Sequence, residues 1–212
     1  MNLRNFYRQL LDRFGPRNWW PGDTPEEVIV GAILTQNTNW INVEKAIAHL
    51  RVEGALDFRK LSSMNKNRVA ELIRPAGYFN QKAMKLAIVS DFFLKNPPGK
   101  MSGLPITDAR EKLLSLWGVG EETADSILLY ALDFPILVVD AYTRRIFHRH
   151  GLWGADIPYG DMQKRLMKEL KGDTVFYNDF HAQIVELGKN HCRKSRPSCA
   201  DCPVPCPASA AK

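Results

Sequence analysis

Cysteine is absent from this chain until position 192. No apolar run approaches the ~18 residues that a membrane span requires. The N-terminal stretch MNLRNFYRQLLDRFG carries charges throughout, where a signal peptide would carry an apolar core. These absences lead us to expect an intracellular protein with no membrane association, in a compartment where thiols stay reduced. Repeats, low-complexity segments and long linkers are also missing. Alternating apolar and polar residues never run long enough for a convincing strand, and the β-like piece Ile136–Val139 is short.

The composition then sets bounds. A 212-residue chain can form one substantial core or two small lobes. Its 45% hydrophobic content excludes a disordered chain. The 29 Lys+Arg against 23 Asp+Glu leave a net charge of +6, a modest basic excess that suits a polyanionic partner.

All four cysteines sit together near the C-terminus: Cys192, Cys199, Cys202 and Cys206, spaced C-x6-C-x2-C-x3-C. Four thiolates on a short loop meet the needs of a tetrahedral zinc or of an iron–sulfur centre. Two disulfides would use the same residues, but a reducing compartment argues against them. Spacing alone does not separate zinc from iron–sulfur.

Elsewhere the periodicity is helical. Leu3, Phe6, Tyr7, Leu10, Leu11 and Phe14 make one apolar face that Gly15-Pro16 ends. Thr24-Pro25-Glu26-Glu27 reads as a helix start with a capping box between Thr24 and Glu27. Helical patterns follow over Val28–Leu34, Val43–Leu50, Val69–Ile73 and Lys82–Leu94. Another starts at Asp108, with Glu111 as its capping-box partner. Later helices cover 122–132, 141–149, 161–170 and 175–188, giving an all-α protein of roughly ten helices.

Residues 113–149 are the most specific internal segment. Two helices flank Leu116-Trp117-Gly118-Val119-Gly120, a glycine-rich turn that can bring backbone N–H groups close to a phosphate at a helix N-terminus. An ordinary helix–helix turn has the same composition. Glu122 lies in the first turn of the next helix, and Asp140 starts the one after Pro135–Val139; both positions also suit capping carboxylates. Arg144, Arg145, His148, Arg149 and His150 behind Asp140 form either a solvated face or one that grips phosphates.

Taken in order, L-x-G-V-G-x-x-T-A (Leu116 to Ala124), Val138-Val139-Asp140 and the four terminal cysteines resemble the helix-hairpin-helix DNA glycosylases of the endonuclease III superfamily, from about Trp19 to Cys206. The resemblance implies two helical lobes with a DNA-binding cleft, one over 24–132 with the helix-hairpin-helix and one over 1–23 and 133–212 with the cluster loop. It also implies a monomer, cytoplasmic and associated with the nucleoid, acting on double-stranded DNA that contains a damaged base. Such enzymes flip the base out and break its glycosidic bond. On the same ground Cys192, Cys199, Cys202 and Cys206 would hold a [4Fe-4S] cluster, with zinc as the alternative. The family's last interval is x5, so the Cys202–Cys206 loop must be tighter here.

The resemblance also assigns roles. Asp140 matches the catalytic aspartate. Bifunctional members carry a lysine where Glu122 stands, and a carboxylate cannot form the imine that strand cleavage needs. The implied enzyme is therefore a monofunctional glycosylase without efficient lyase activity. Gly31 stands where the adenine-mismatch branch has its glutamate, and that branch is disfavoured. The thymine-mismatch branch, which usually has tyrosine at the Glu122 position, is disfavoured too.

A closer match is the 3-methyladenine DNA glycosylase III type, through Trp19-Trp20-Pro21, Leu34-Thr35-Gln36-Asn37-Thr38, Tyr78 to Ala83, Glu122 and Val138 to Tyr142. That type is described without cluster cysteines. Trp20 and Trp40 would line the base pocket and prefer a cationic methylated purine such as 3-methyladenine. Gln36 would fill the space left by the flipped base, and Tyr78 would wedge the opposite strand. Gly118, Val119, Gly120 and Arg144 would contact the DNA. The alternatives are an endonuclease III-like glycosylase for oxidised pyrimidines with lyase activity, and a non-catalytic binder of DNA structure.

Overall fold

The computed structural model describes residues 1–17 and 19–206. Position 18 and the last six positions of the expected second lobe, 207–212, lie outside the described residues. Twelve α-helices follow in chain order: α1 (Leu3–Phe14), α2 (Pro25–Leu34), α3 (Trp40–Val52), α4 (Phe58–Ser63), α5 (Lys66–Leu72), α6 (Phe79–Lys95), α7 (Pro98–Met101), α8 (Ile106–Leu114), α9 (Glu121–Tyr130), α10 (Ala141–Arg149), α11 (Tyr159–Leu170) and α12 (Thr174–Asn190). A 3-10 turn, Arg74–Ala76, precedes α6. There is no strand among the described residues. Two helices exceed the expected ten: α4 and α7 are too short to display a 3.6-residue periodicity.

Two helix starts differ in detail from the sequence expectation. Thr24 caps α2 and accepts from the Glu27 N–H at 3.2 Å, but the Glu27 carboxylate does not close the box on Thr24. It accepts from the Asp23 N–H at 3.5 Å and from Arg51 at 2.6 Å. A buried carboxylate gains more from a guanidinium than from one more N–H. Asp108 does not begin α8. The helix starts at Ile106 behind Pro105, whose φ of −55° is already set for entry, and Asp108 lies in the first turn accepting from the Thr107 hydroxyl.

The chain divides into two compact units. Trp20–Phe134 forms one of them. At its centre α2 is buried on every side from Glu27 to Leu34, as a helix that is apolar all round must be. It packs on α9, which is buried from Thr123 to Leu129, and on α3 and α6. Polar groups in this core are paired. The Arg110 Nε reaches the fully buried Asp125 at 2.7 Å, tying α8 to α9. The Lys82 ammonium, 2% exposed, donates to the Leu34 and Ala76 carbonyls at 2.9 and 2.8 Å.

The described residues of Met1–Trp19 and Pro135–Lys212 form the other unit. Here α1 packs on α11 and α12, and α10 packs on α12. Phe6, Phe147 and Phe180 are buried, and the Phe6 and Phe147 rings lie 5.5 Å apart. Burial of each such ring stabilises the fold by about 2–3 kcal/mol. Arg4 stacks on Phe176 at 4.5 Å and donates to the carbonyls of Leu170 and Lys171, closing the C-terminus of α11. Gln183 donates to the Gly15 carbonyl at 2.7 Å, which fixes the exit of α1. The β-like Ile136–Val139 is buried and precedes Asp140 without forming a strand.

Candidate functional site

In the unit of Trp20–Phe134, helices α8 and α9 flank the hairpin Leu116–Gly120. Gly118 has a φ of 82°, in the left-handed region that favours glycine. A Cβ there would also lie 2.5 Å from the Lys85 Cε, so conformation and space both demand glycine. Val119 is buried, and its N–H is spent on the Leu116 carbonyl at 3.1 Å. Of the hairpin residues expected to face phosphate, Val119 therefore anchors the turn. Gly120 stands exposed at the N-cap of α9, and no side chain caps that helix. Glu122 lies exposed in its first turn.

Gln36 meets this hairpin. Its Nε2 donates to the Gly118 carbonyl and to the Thr123 hydroxyl, each at 3.0 Å, while its Oε1 accepts from the Lys85 ammonium. The residue expected to enter the DNA stack is here clamped to the expected phosphate-binding turn. Tyr78 is 67% exposed and sits at φ 45°, directly after Gly77 at φ 69°. A bulky residue in the left-handed region carries strain of order 1–3 kcal/mol, and such strain clusters at functional sites.

Trp20 and Trp40 are brought together, but not as parallel walls. Their rings meet edge to face, 5.1 Å apart at 89°. Tyr130 packs on Trp20 at 5.2 Å. The Trp20 indole also lies over Gly31, where an added Cβ would meet it at 3.2 Å. A glutamate at position 31 would have to displace that indole. The Trp40 indole N–H donates to Glu44 at 2.8 Å.

In the other unit Asp140 is the N-cap of α10 and is 9% exposed. Its Oδ1 accepts from the Thr143 N–H at 2.7 Å and from the Thr143 hydroxyl at 2.8 Å. Its Oδ2 lies 3.6 Å from the His181 Nε2. Burial pushes the carboxyl pKa up, but His181 and Thr143 together outweigh it and hold the group below the ordinary carboxylate value. Arg144, expected on DNA, donates to the Ile157 carbonyl at 2.6 Å and is half-buried.

The cysteines also converge. Cys192, Cys199, Cys202 and Cys206 line one cavity of about 230 Å³, with Arg149, His150 and His191 beside them. All four thiols are free of disulfides. Among the described residues no three His, Cys, Asp or Glu side chains are grouped as a site for a single metal ion. Burial first, and then the neighbouring thiolates, raise the Cys206 pKa; burial also raises that of Cys202. Arg149 organises the loop, donating to the Cys192 Sγ at 3.2 Å and to the Arg193 and Lys194 carbonyls. A shared cavity walled by four thiols, with a guanidinium to offset negative charge, fits a four-thiolate group. The shortened last interval does not remove Cys206 from that wall.

Sequence reasoning missed several of these residues. His181 is a lone histidine on a largely apolar helix face, with no local signal. Lys82 and Lys85 were detectable only as lysines within a buried stretch. Tyr130 gave no sign that it would pack on Trp20.

Comparison with known proteins extends these observations. A provisionally assigned DNA repair glycosylase of Methanocaldococcus jannaschii is 46% identical over 95% of this chain and 93% of that protein. Endonuclease III of Thermotoga maritima is 30% identical over 94% of this chain and 89% of its own length. The solved structure of the 3-methyladenine DNA glycosylase of H. pylori, bound to 1,N6-ethenoadenine, has a TM-score of 0.79 at 28% identity, covering 89% of this chain and 98% of that one. The family model for base excision repair proteins matches residues 30–171, a span that contains Gln36, the hairpin and Asp140. With that match, and with a relative 46% identical over 95% of its length, the chain belongs to the HhH-GPD superfamily of base excision DNA repair proteins.

Proposed function

We propose that this protein is a monofunctional DNA glycosylase that flips out an alkylated purine, such as 3-methyladenine, and hydrolyses its N-glycosidic bond with Asp140. The observation that carries the reading is a buried carboxylate at the start of α10 whose Oδ1 is held by Thr143 and whose Oδ2 lies 3.6 Å from the His181 Nε2. With Oδ1 committed to Thr143, the Oδ2 edge is the one available to stabilise an oxocarbenium-like sugar and to orient or deprotonate water. Glu122 occupies the position of the Schiff-base lysine of bifunctional relatives, which supports hydrolysis without strand cleavage. The uncapped start of α9 and the glycine turn before it are suited to a DNA phosphate.

A base methylated at a ring nitrogen is cationic and leaves readily, so tryptophan faces that attract a cation suit it, by about 1–2 kcal/mol. To admit a base between them, the Trp40 ring must turn away from Trp20. That motion gives up the exposed hydrogen bond to Glu44, worth about 1 kcal/mol, and stacking on the base works against such losses. Cys192, Cys199, Cys202 and Cys206 would hold a [4Fe-4S] cluster, whose contribution is structural, bracing the loop that carries Arg193, Lys194 and Arg196. A cavity shared by four thiols suits a cluster or a single zinc ion, the resemblance to the endonuclease III superfamily favours the cluster, and iron, sulfide and zinc analysis of protein purified without oxygen tests this.

The edge-to-face tryptophans favour a second reading, a glycosylase for oxidised pyrimidines, because a smaller base needs less ring movement. Incubation with methylated DNA, thymine-glycol DNA and uracil DNA, with mass spectrometry of the released bases, decides between them. Methylpurines are the expected products. Release of thymine glycol or uracil alone overturns the substrate, and a borohydride-trapped adduct overturns the monofunctional mechanism.

A further inference from the structure

The two carboxylate oxygens of Asp140 are held differently. Oδ1 receives two short hydrogen bonds from Thr143, the ordinary work of an N-cap. Oδ2 has no role in the cap, yet it faces an imidazole from a different helix, the His181 Nε2 of α12 at 3.6 Å. His181 is 6% exposed, and its neighbours Phe180, Ala182 and Ile184 are buried in the core. Placing its Nε2 beside Oδ2 serves the carboxylate, since burial opposes the ionised form and the Thr143 bonds reach only one oxygen.

We propose that His181 is a positioning residue for Asp140: its ring fixes the rotation of the carboxylate and keeps Oδ2 negative, so that the edge left over from capping is the one presented to the reacting sugar. This rests on the reading of Asp140 as the catalytic carboxylate. His181 acts through Asp140 and does not itself touch the substrate. The groups facing Asp140 are Thr143 and Tyr142 on its own helix and His181 on the helix packed against it. The Tyr142 phenol is pushed up by burial and then by the Asp140 charge, so it adds no charge beside Asp140 across the acidic and neutral range.

The test compares wild type with His181→Leu, which keeps volume without a donor, and His181→Gln, whose amide nitrogen reaches about where Nε2 lies. Single-turnover base release from methylated DNA is followed against pH, and the Asp140 carboxyl carbon is titrated by NMR in the same proteins. In H181L the acid limb of the rate profile and the NMR titration should both move up together, with base release slowed by about tenfold on the acid limb. H181Q should recover most of both. Coincident titrations in wild type and H181L overturn the proposal, and if H181L fails to fold, coincidence of H181Q with wild type in rate but not in titration does so as well. Full base release by Asp140→Asn would instead overturn the catalytic reading of Asp140, while the NMR titration still reports whether His181 controls its charge.

Discussion

Replacing Gly118 with alanine perturbs the hairpin in two separable ways. The first is conformational: a residue with a Cβ at φ 82° costs about 1–2 kcal/mol. The second is steric. The new methyl would sit 2.5 to 2.8 Å from three carbons of the Lys85 side chain, so Lys85 must swing aside. It then loses its bond to the Gln36 Oε1, a charge-assisted contact in a half-buried place worth about 1–2 kcal/mol. The sum, about 3 kcal/mol, is less than the stability of an ordinary domain, so G118A should fold. Its urea midpoint should fall by on the order of 1 M, and its affinity for duplex DNA carrying an abasic-site analogue by tenfold or more. Lys85→Ala removes the obstacle but not the strain. In that background the glycine substitution should cost only the conformational part, leaving a coupling of about 1–2 kcal/mol between the two sites. A G118A protein within 0.5 kcal/mol of wild type, or a cycle with no coupling, would refute this account of the hairpin.

Other expectations can be checked alongside it. Arg110→Met removes the guanidinium that binds the fully buried Asp125 and should cost about 3–5 kcal/mol in chemical denaturation, whereas Glu121→Gln, breaking the exposed arm of the same network, should cost less than about 0.5 kcal/mol. Burial, with Lys85 nearby, lowers the Lys82 pKa to about 8 from 10.5, so the folded protein holds that proton less tightly than the unfolded chain. The cost of burying the charge is then full below about pH 8 and fades as pH rises towards 10.5, so the stability of wild type relative to Lys82→Met should rise across that window. Urea midpoints of both proteins at the two ends of the window read this out, and parallel curves would contradict it. Asp140→Asn can still cap α10, so it should keep the fold while slowing base release by about 10² to 10⁴-fold in single-turnover assays.

Much of this was legible in the chain because it is written locally. Leu3–Phe14 follows its apolar face and ends at Gly15, Thr24 caps its helix, and Asp140 caps α10. What escaped depends on residues far apart in sequence. The Glu27 carboxylate looked like half of a capping box, but the guanidinium that claims it comes from α3. Asp108 looked like a cap because its spacing to Glu111 fits, but the preceding proline had already fixed the entry two residues earlier. Arg144 carries a charge that suits phosphate, and only the fold shows the Ile157 carbonyl that engages it. Side-chain orientation is equally hidden. Trp20 and Trp40 could be assigned to one place from their motif, yet their perpendicular packing follows from Gly31 and Tyr130, which the motif does not connect to them.

Part of the unusual backbone in the unit of Trp20–Phe134 lies beside its proposed DNA-facing residues. Asn37, Gly77, Tyr78 and Gly118 all have positive φ, and of these Tyr78 has the side chain that the left-handed region disfavours. Strain of that kind persists only where the surroundings over-determine the chain, and here two polar hubs do so. Lys82 joins the carbonyl of Leu34, two residues before Gln36, to that of Ala76, two residues before Tyr78. Gln36 in turn joins the end of α2 to Gly118 in the hairpin and Thr123 in the first turn of α9. Tyr78, Gln36 and the glycine hairpin, the residues proposed to engage DNA, are thus held in one connected frame rather than on independent loops. Fixing each segment's backbone in advance removes ordering costs of about 1–2 kcal/mol per residue from the binding step. Distorting a duplex costs a few kcal/mol for each unstacked step, so an enzyme that ordered its own loops at the same moment would add those two costs together. The frame separates them: the loops are ordered during folding, and binding energy remains for the DNA.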